Sequence, residues 1–191
     1  MLEQILAYDK ELLLLINGAH SHVLDITMLF ISSTLGWLPL YFFLLYIIIK
    51  DYGRKTWLIL FFIALTVLLS DQISVQLFKN TFQRLRPCYE ESLTGLLHYV
   101  KYCGGKYGFI SSHATNSFGI VTLVTLLLRK KHFWIWIVML TYGLLVIYSR
   151  VYLGVHYPTD VIVGSIVGVM IGSTTYLLFR YICHLNYKEK D

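Results

Sequence analysis

The sequence predicts an all-α fold: a polytopic integral membrane helical bundle of about five transmembrane helices plus an N-terminal amphipathic helix, together a six-helix core. Of its 191 residues, 57% are hydrophobic and 14% are charged, whereas soluble domains average about 25% charged residues. Several apolar runs reach the roughly 20 residues that a helix needs to cross a bilayer. One domain covering residues 1–191 is expected at this length.

The first element, within residues 1–22, is predicted to be an amphipathic helix that does not span the membrane. Leucine and isoleucine recur at helical spacing over residues 2–17, but the charged run at residues 9–11 interrupts them. Two interpretations remain open, since such a helix can lie on the bilayer surface or pack against the bundle. Acidic residues replace the basic start of a secretory signal, so none is expected.

Five apolar runs follow, and each is predicted to be a transmembrane helix. They occupy residues 24–49, 57–78, 112–128, 133–148 and 161–182. The fifth run carries Gly164, Gly168 and Gly172, and small residues at four-residue intervals let helix backbones approach closely. Close packing inside the bundle is favoured over dimerisation as their role, and the sequence indicates no oligomeric state.

The lysines and arginines predict which side of the membrane each loop occupies. One side holds nine of them: Lys50, Arg54, Lys55, Arg129, Lys130, Lys131, Arg180, Lys188 and Lys190. The other side holds seven: Lys10, Lys79, Arg84, Arg86, Lys101, Lys106 and Arg150. Because cytoplasmic loops are richer in positive charge, the larger set marks the cytoplasmic side. We therefore expect an integral inner (cytoplasmic) membrane protein.

The longest connection, residues 79–111, falls on the extracytoplasmic side of this arrangement. Pro87 and several glycines predict turns rather than a continuous helix, and long loops in compact proteins are usually functional. Cys88 and Cys103 both lie in this loop, where an oxidising compartment would allow a disulfide. A disulfide and a pair of free thiols both remain open.

Polar side chains form three clusters at the extracytoplasmic ends of the predicted spans. The clusters are Lys79 with Arg86; Ser111, Ser112 and His113; and Arg150, His156 and Asp160. Cations and hydroxyl groups can hold a phosphate group, and histidine beside a carboxylate can attack it. An apolar chain has no packing reason to place so much charge on one face. The sequence therefore predicts a phosphate site, and it shows no nucleic-acid signature.

The first cluster supplies two cations next to the membrane. Lys79 and Arg86 are seven residues apart, and Pro87 is expected to end the second span's helix at about Arg86. The planar guanidinium of an arginine forms paired hydrogen bonds with phosphate oxygens. Arg84 is interpreted instead as an interfacial cation that snorkels to the membrane surface.

The second and third clusters each lie at the start of a helix. Ser111 can simply cap the third span, but a helix N-terminus also offers N–H groups and partial positive charge to a phosphate. Asp160 follows His156 by four residues, so it can hold one ring nitrogen and orient the other for attack. Asp71, inside the second span, is interpreted as a support for the site or as a buried hydrogen-bonding group.

The three clusters resemble the motifs of the type-2 phosphatidic acid phosphatase superfamily, which also includes the vanadium haloperoxidases. The motifs K-x6-RP, PSGH and SR-x5-H-x3-D correspond to residues 79–87, 110–113 and 149–160. The first and third match at every fixed position. In the second, Ile110 and Ser112 replace a proline and a glycine, and the side chain of Ser112 is expected to narrow the pocket.

The resemblance implies a metal-independent, two-step phosphatase that uses no cofactor. His156 would attack phosphorus and form a phosphohistidine while Asp160 holds its ring, and His113 would protonate the leaving group and then activate water. The phosphate would be bound by Lys79, Arg86, Ser111, Ser112 and Arg150. Because His156 must be neutral and His113 protonated at the attack, a bell-shaped pH–rate profile is expected.

The resemblance also implies that the partners are the phospholipid bilayer and a membrane lipid phosphate substrate. Candidate substrates are undecaprenyl diphosphate, lipid A phosphate groups and phosphatidylglycerophosphate, with residues 79–111 as an extracytoplasmic active-site loop. Vanadate-dependent halide oxidation is disfavoured by the membrane spans. A non-catalytic lipid-binding or lipid-moving protein with a retained anion pocket is disfavoured too, because binding alone does not need His156 and Asp160.

Overall fold

The computed structural model describes residues 2–100 and 103–188, and this part of the chain is all-α. Its helices are α1 (Leu2–Gly18), α2 (His22–Ser32), α3 (Leu38–Tyr52), α4 (Thr56–Gln72), α5 (Asn80–Phe82), α6 (Ser112–Leu128), α7 (Ile135–Tyr152) and α8 (Pro158–Lys188). A π-helical turn, Ile73–Lys79, joins α4 to α5. Lys101 and Lys190, two of the cations counted above, lie outside the described residues.

The predicted membrane bundle is confirmed. Within the described residues, three helical segments are long and apolar enough to cross a membrane, namely Leu35–Phe82, Ile135–Tyr152 and Pro158–His184. The first has 48 residues, because it contains both α3 and α4, joined by the 3-10 turn Gly53–Lys55. The shorter apolar helix α6 has 17 residues. The helices α4, α6, α7 and α8 therefore lie where four of the five spans were predicted, and α3 occupies only the second half of the first predicted span.

The prediction of a single helix over residues 24–49 is wrong. α2 ends at Ser32, and α3 begins only at Leu38. Between them, the Ser33 hydroxyl donates to the Phe30 carbonyl at 2.8 Å and accepts from the backbone N–H of Gly36 at 3.2 Å. These local bonds satisfy backbone groups that a continuous helix would have paired. α2 instead forms a 116° bend with α1.

The structure favours the packing interpretation of α1. Leu13 is fully buried, and the buried side chain of Asn17 donates to the carbonyls of Tyr152 at 2.7 Å and His98 at 3.0 Å. The outer face of the helix stays apolar, with Leu15 72% exposed. α1 is thus fixed to α7 and to the long loop on one side, and its other side is suited to contact with lipid.

The centre of the bundle is α6, which packs against α4, α7 and α8. A Cβ atom placed on Gly168 would lie 2.4 Å from the carbonyl oxygen of Thr115, and one placed on Gly172 would lie 2.4 Å from that of Gly119. The glycines predicted to allow close packing therefore do so, against α6. At the N-terminal end of α6 and of α8, the Ser111 N–H donates to the Asp160 carbonyl at 3.0 Å.

Gly168→Ala is expected to lower stability by about 1–3 kcal/mol, since the added methyl group overpacks a contact between two backbones. Thermal unfolding of the purified protein in detergent would measure the change. Gly18→Ala is the matched control, because nothing lies within 4 Å of a Cβ atom at Gly18. Equal melting temperatures for Gly168→Ala and wild type would contradict the packing described here.

Candidate active site

Lys79 and Arg86 lie on two different kinds of backbone. Lys79 ends the π-helical turn, and its ammonium group donates to the Ser112 hydroxyl at 2.6 Å. Arg86 lies in extended backbone, because α5 ends at Phe82 and Gln83 adopts a left-handed conformation with φ 46°. The expectation that the helix continues to about Arg86 is therefore wrong.

The long loop holds Arg86 in place. The Gly108 N–H donates to the Arg84 carbonyl at 2.9 Å, and this pairing of two loop segments continues at the N–H of Arg86. The Arg86 guanidinium donates to the Cys103 carbonyl at 2.9 Å. Cys103 is joined to Cys88 by a disulfide, so the structure contains the bridge that the sequence left open.

The second cluster forms the start of α6. The Ser111 hydroxyl accepts the Ala114 N–H at 3.5 Å as a helix cap, and its proton can still be donated to a ligand. The Ser112 hydroxyl accepts from Lys79 and lies 2.7 Å from that of Ser74. Ser112 therefore holds Lys79, and it lines the larger of the two cavities described below. The expected narrowing of the phosphate pocket by its side chain stays a prediction.

The third cluster places a histidine against a carboxylate, as the four-residue spacing predicted. His156 Nδ1 is 3.5 Å from Asp160 Oδ2, and both side chains are buried. Within the described residues His156 Nδ1 has no hydrogen-bond partner, whereas Asp160 Oδ2 accepts the Tyr157 N–H at 3.0 Å. Arg150 donates to the Ser32 hydroxyl, and its Nε, unpaired among the described residues, remains available for an anion.

The interpretation of Arg84 as a snorkelling cation is wrong. Its Nη1 donates to Asp160 Oδ1 at 2.8 Å, and its Nη2 donates to Asp9 Oδ2 at 2.6 Å. The guanidinium carbon lies 4.0 Å from the centre of the Tyr157 ring. Sequence reasoning missed Asp9 and this role of Arg84, because 75 residues separate the two and no local spacing relates them.

Two cavities meet at His113. The smaller has a volume of about 270 Å³, and its charged lining comes from Arg86 and Arg150. The larger, of about 580 Å³, is lined mostly by apolar side chains of α3, α4, α6 and α7. His113 lines both cavities. A group held by the two arginines is therefore adjacent, through His113, to a volume suited to hydrocarbon.

Asp71 lies at the polar end of the larger cavity, together with Ser112 and His113. In the described part of the chain no side chain forms a hydrogen bond with the Asp71 carboxylate, so its interpretation as a buried hydrogen-bonding group is wrong. Its interpretation as a support for the site stays a prediction.

The two histidines lie among the same cations. Burial and the charges of Arg150, Arg86 and Lys79 hold the pKa of His156, on the loop between α7 and α8, well below its usual value. The ring is therefore neutral, with a lone pair available for attack. His113 interacts electrostatically with the same three cations and with His156. The structure thus brings the three clusters together into one site.

A family model described as the PAP2 superfamily matches residues 55–182, most of the chain and all three clusters. The chain belongs to the PAP2 superfamily. The matched region includes α4 to α7 and most of α8, and it leaves out α1 with Asp9. This membership confirms the resemblance drawn from the three motifs, and together with the relatives described next it identifies the protein as an enzyme, a phosphatase.

Curated relatives in the PAP2 superfamily match nearly the full chain. The chain is 36% identical over 185 residues to the lipid A 4'-phosphatase of Porphyromonas gingivalis, covering 94% of this chain and 76% of the relative. The lipid A 4'-phosphatase of Bacteroides thetaiotaomicron is 36% identical over 187 residues, covering 96% and 80%. An undecaprenyl-diphosphatase of Sulfolobus acidocaldarius is 35% identical over 173 residues, covering 87% and 76%.

A solved PAP2 structure shares the fold. The crystal structure of Aquifex aeolicus LpxE superposes with a TM-score of 0.62 at 26% sequence identity, covering 86% of this chain and 92% of that one. Together with the apolar helices, these comparisons identify an integral membrane protein of the lipid phosphatase branch.

Proposed function

We propose that this PAP2 phosphatase removes a phosphate group from a lipid A-type glycolipid at the outer face of the inner membrane, through a phosphohistidine intermediate. The observation that carries the proposal is the meeting of the two cavities at His113. The smaller cavity supplies cations for a phosphate, and the larger supplies room for hydrocarbon. A lipid phosphate ester has this division between a charged and an apolar part.

The proposed reaction has two steps. In the first, His156 attacks phosphorus, the bond from phosphorus to the leaving oxygen breaks, and His113 gives that oxygen a proton. In the second, His113 takes a proton from water, which attacks phosphorus and releases inorganic phosphate and free His156. Lys79, Arg86 and Arg150, with the Ser111 hydroxyl and the Ser112 N–H, would stabilise the charge on the equatorial oxygens.

The position of His113 supports its role as the acid. Because it lines both cavities, its ring lies at the boundary between the phosphate and the rest of the substrate. The leaving oxygen of a lipid phosphate occupies that boundary. His156, in contrast, is 1% exposed and is fixed beside Asp160, which suits a nucleophile that must keep one orientation.

The distribution of cations supports an extracytoplasmic site. The turn Gly53–Lys55 and the segment after α6 lie at one end of the bundle, where His132 Nε2 is 2.9 Å from Asp51 Oδ2. Most of the lysines and arginines assigned to the cytoplasm lie in these two turns. The three clusters lie at the opposite ends of the same helices, so positive charge favours the outer side for them.

The glycolipid substrate is favoured by two relatives that are themselves lipid A 4'-phosphatases. The test is release of inorganic phosphate by the purified protein in detergent, with EDTA present throughout. The panel contains lipid A, undecaprenyl diphosphate, phosphatidylglycerophosphate and phosphatidic acid. Preferred release from lipid A is expected, whereas preferred release from undecaprenyl diphosphate would support the activity of the third relative instead. No release from any lipid would contradict the proposed function.

The pH dependence follows from the depressed pKa of His156. A histidine whose pKa is lowered stays neutral to more acidic pH, so the attacking form persists below the ordinary value of about 6.5. We expect a bell-shaped dependence in which the acidic limb of kcat/KM has its midpoint below that value, and the alkaline limb of kcat, measured with the phosphate bound, reports loss of the proton on His113. Rates measured from pH 4.5 to 9 would check this. An acidic midpoint at or above about 6.5 would contradict a neutral, buried His156.

A further inference from the structure

One guanidinium group bridges two buried carboxylates beside the proposed nucleophile. Asp9 is 3% exposed and Asp160 is fully buried, and Arg84 donates to both. Burying a carboxylate is unfavourable unless it is paired and hydrogen-bonded. The motifs account for Asp160, but neither they nor the family match accounts for Asp9.

Asp9 also binds the start of the helix that carries Asp160. Its Oδ1 accepts the Thr159 N–H at 2.8 Å, and its Oδ2 accepts the Thr159 hydroxyl. The first N–H groups of a helix have no partner within it, and the helix dipole favours an anion there. A carboxylate on α1 therefore caps α8 from outside, one residue before Asp160.

We propose that Asp9 is a positioning residue for catalysis, which acts on His156 through Arg84 and Asp160. The inference rests on the proposed function, in which Asp160 orients the nucleophile. Because Asp9 binds one side of the guanidinium, the positive charge of Arg84 is shared between two carboxylates. It therefore neutralises Asp160 only in part. Asp160, whose Oδ2 lies 3.5 Å from His156 Nδ1, then keeps enough negative charge to favour a proton on that nitrogen and leave Nε2 free to attack.

The alternative role for Asp9 is to dock α1, with no influence on the chemistry. α1 has a second buried anchor in Asn17, which binds the backbone of Tyr152 and His98. Asp9 differs from Asn17 because its contacts lead to Asp160. The experiment must therefore separate an effect on the reacting ring from an effect on the stability of the fold.

A double-mutant cycle makes this separation. Asp9→Asn is expected to lower kcat about tenfold with KM unchanged, as for other residues that orient a reacting group indirectly. Arg84→Ala is expected to lower kcat about 100-fold, because two buried carboxylates lose their cation and one of them takes up a proton. Adding Asp9→Asn to Arg84→Ala is then expected to raise kcat, because Asp160 no longer has a neighbouring carboxylate. If the losses of kcat caused by Asp9→Asn and Arg84→Ala simply multiplied in the double variant, the proposal would be overturned.

Lys10→Ala is the matched control on the same helix. Lys10 donates to Ser92 at 2.8 Å and lies 3.8 Å from Glu90, so it contacts the long loop but not Asp160. We expect Lys10→Ala to leave kcat unchanged both in wild type and in Arg84→Ala. If Lys10→Ala lowered kcat as much as Asp9→Asn does, the role of Asp9 would be docking alone. Arg84→Lys leaves α1 intact and tests the bridge separately, since one ammonium lacks the fork that binds two carboxylates. Wild-type kcat in Arg84→Lys would overturn the proposal.

A measurement without substrate separates failure of this inference from failure of the proposed function. Nitrogen-15 NMR of the histidine rings reports which nitrogen carries the proton, and His156→Gln identifies the signal of His156. Wild type is expected to hold the proton on Nδ1, and Asp9→Asn to move a measurable fraction to Nε2. The measurement can be made even if wild type releases no phosphate. If the proton on the His156 ring has the same position in Asp9→Asn as in wild type, the proposed role of Asp9 is overturned.

Discussion

His156→Ala is expected to lower the rate of phosphate release by about 10⁵-fold, because among the described residues that line the two cavities only His113 carries another imidazole that could replace the lost nucleophile. The neighbouring His113 is assigned to proton transfer, and Lys79, Arg86 and Arg150 are the cations proposed to surround the phosphate. The loss should appear in kcat far more than in KM, since the residues that bind the phosphate remain in place.

Trapping of the covalent intermediate gives this prediction a second measurement. Wild type mixed with phosphorus-32-labelled lipid phosphate and quenched within milliseconds should carry label that is stable to base and labile to acid. His156→Ala should carry none. His184→Ala, which changes an exposed histidine on α8 far from the site, should label like wild type. Label retained in His156→Ala would place the nucleophile elsewhere.

The residues proposed to bind the phosphate could be selected from the sequence, because local spacing and helix ends bring them to one end of the bundle. His156 lies two residues before the start of α8 and Asp160 lies in its first turn, and Ser111 begins a helix, so each position depends on short stretches of chain. The support of Asp160 could not be predicted in this way. Asp9 lies on α1, whereas Arg84 follows α5. Only the packing of α1 against the bundle brings the two side chains together.

The first predicted span shows that one part of the fold, too, could not be predicted from the sequence. Hydrophobicity over residues 24–49 is nearly continuous, so composition alone predicts one helix. The helix ends because Ser33 forms bonds with the backbone of Phe30 and Gly36, a local competition that an average over 20 residues does not record. The break matters for the site, since Ser32 at the end of α2 accepts from Arg150.

His113→Ala is expected to affect the two steps of the reaction differently. Substrates with different leaving groups distinguish the two effects. With a lipid phosphate whose leaving oxygen is an alkoxide, loss of the general acid should slow the first step about 10³-fold. With an aryl phosphate, whose leaving group needs no proton, the first step should stay within about tenfold of wild type.

Burst kinetics with such an aryl phosphate separate the two steps. In His113→Ala the aryl alcohol should be released rapidly in an amount equal to the enzyme, and then slowly, because water is no longer activated to attack the phosphohistidine. The labelled intermediate should accumulate in this variant, whereas His156→Ala should give neither burst nor label. If His113→Ala slowed the alkyl and aryl substrates equally, the ring at the boundary of the two cavities would bind phosphate rather than transfer protons.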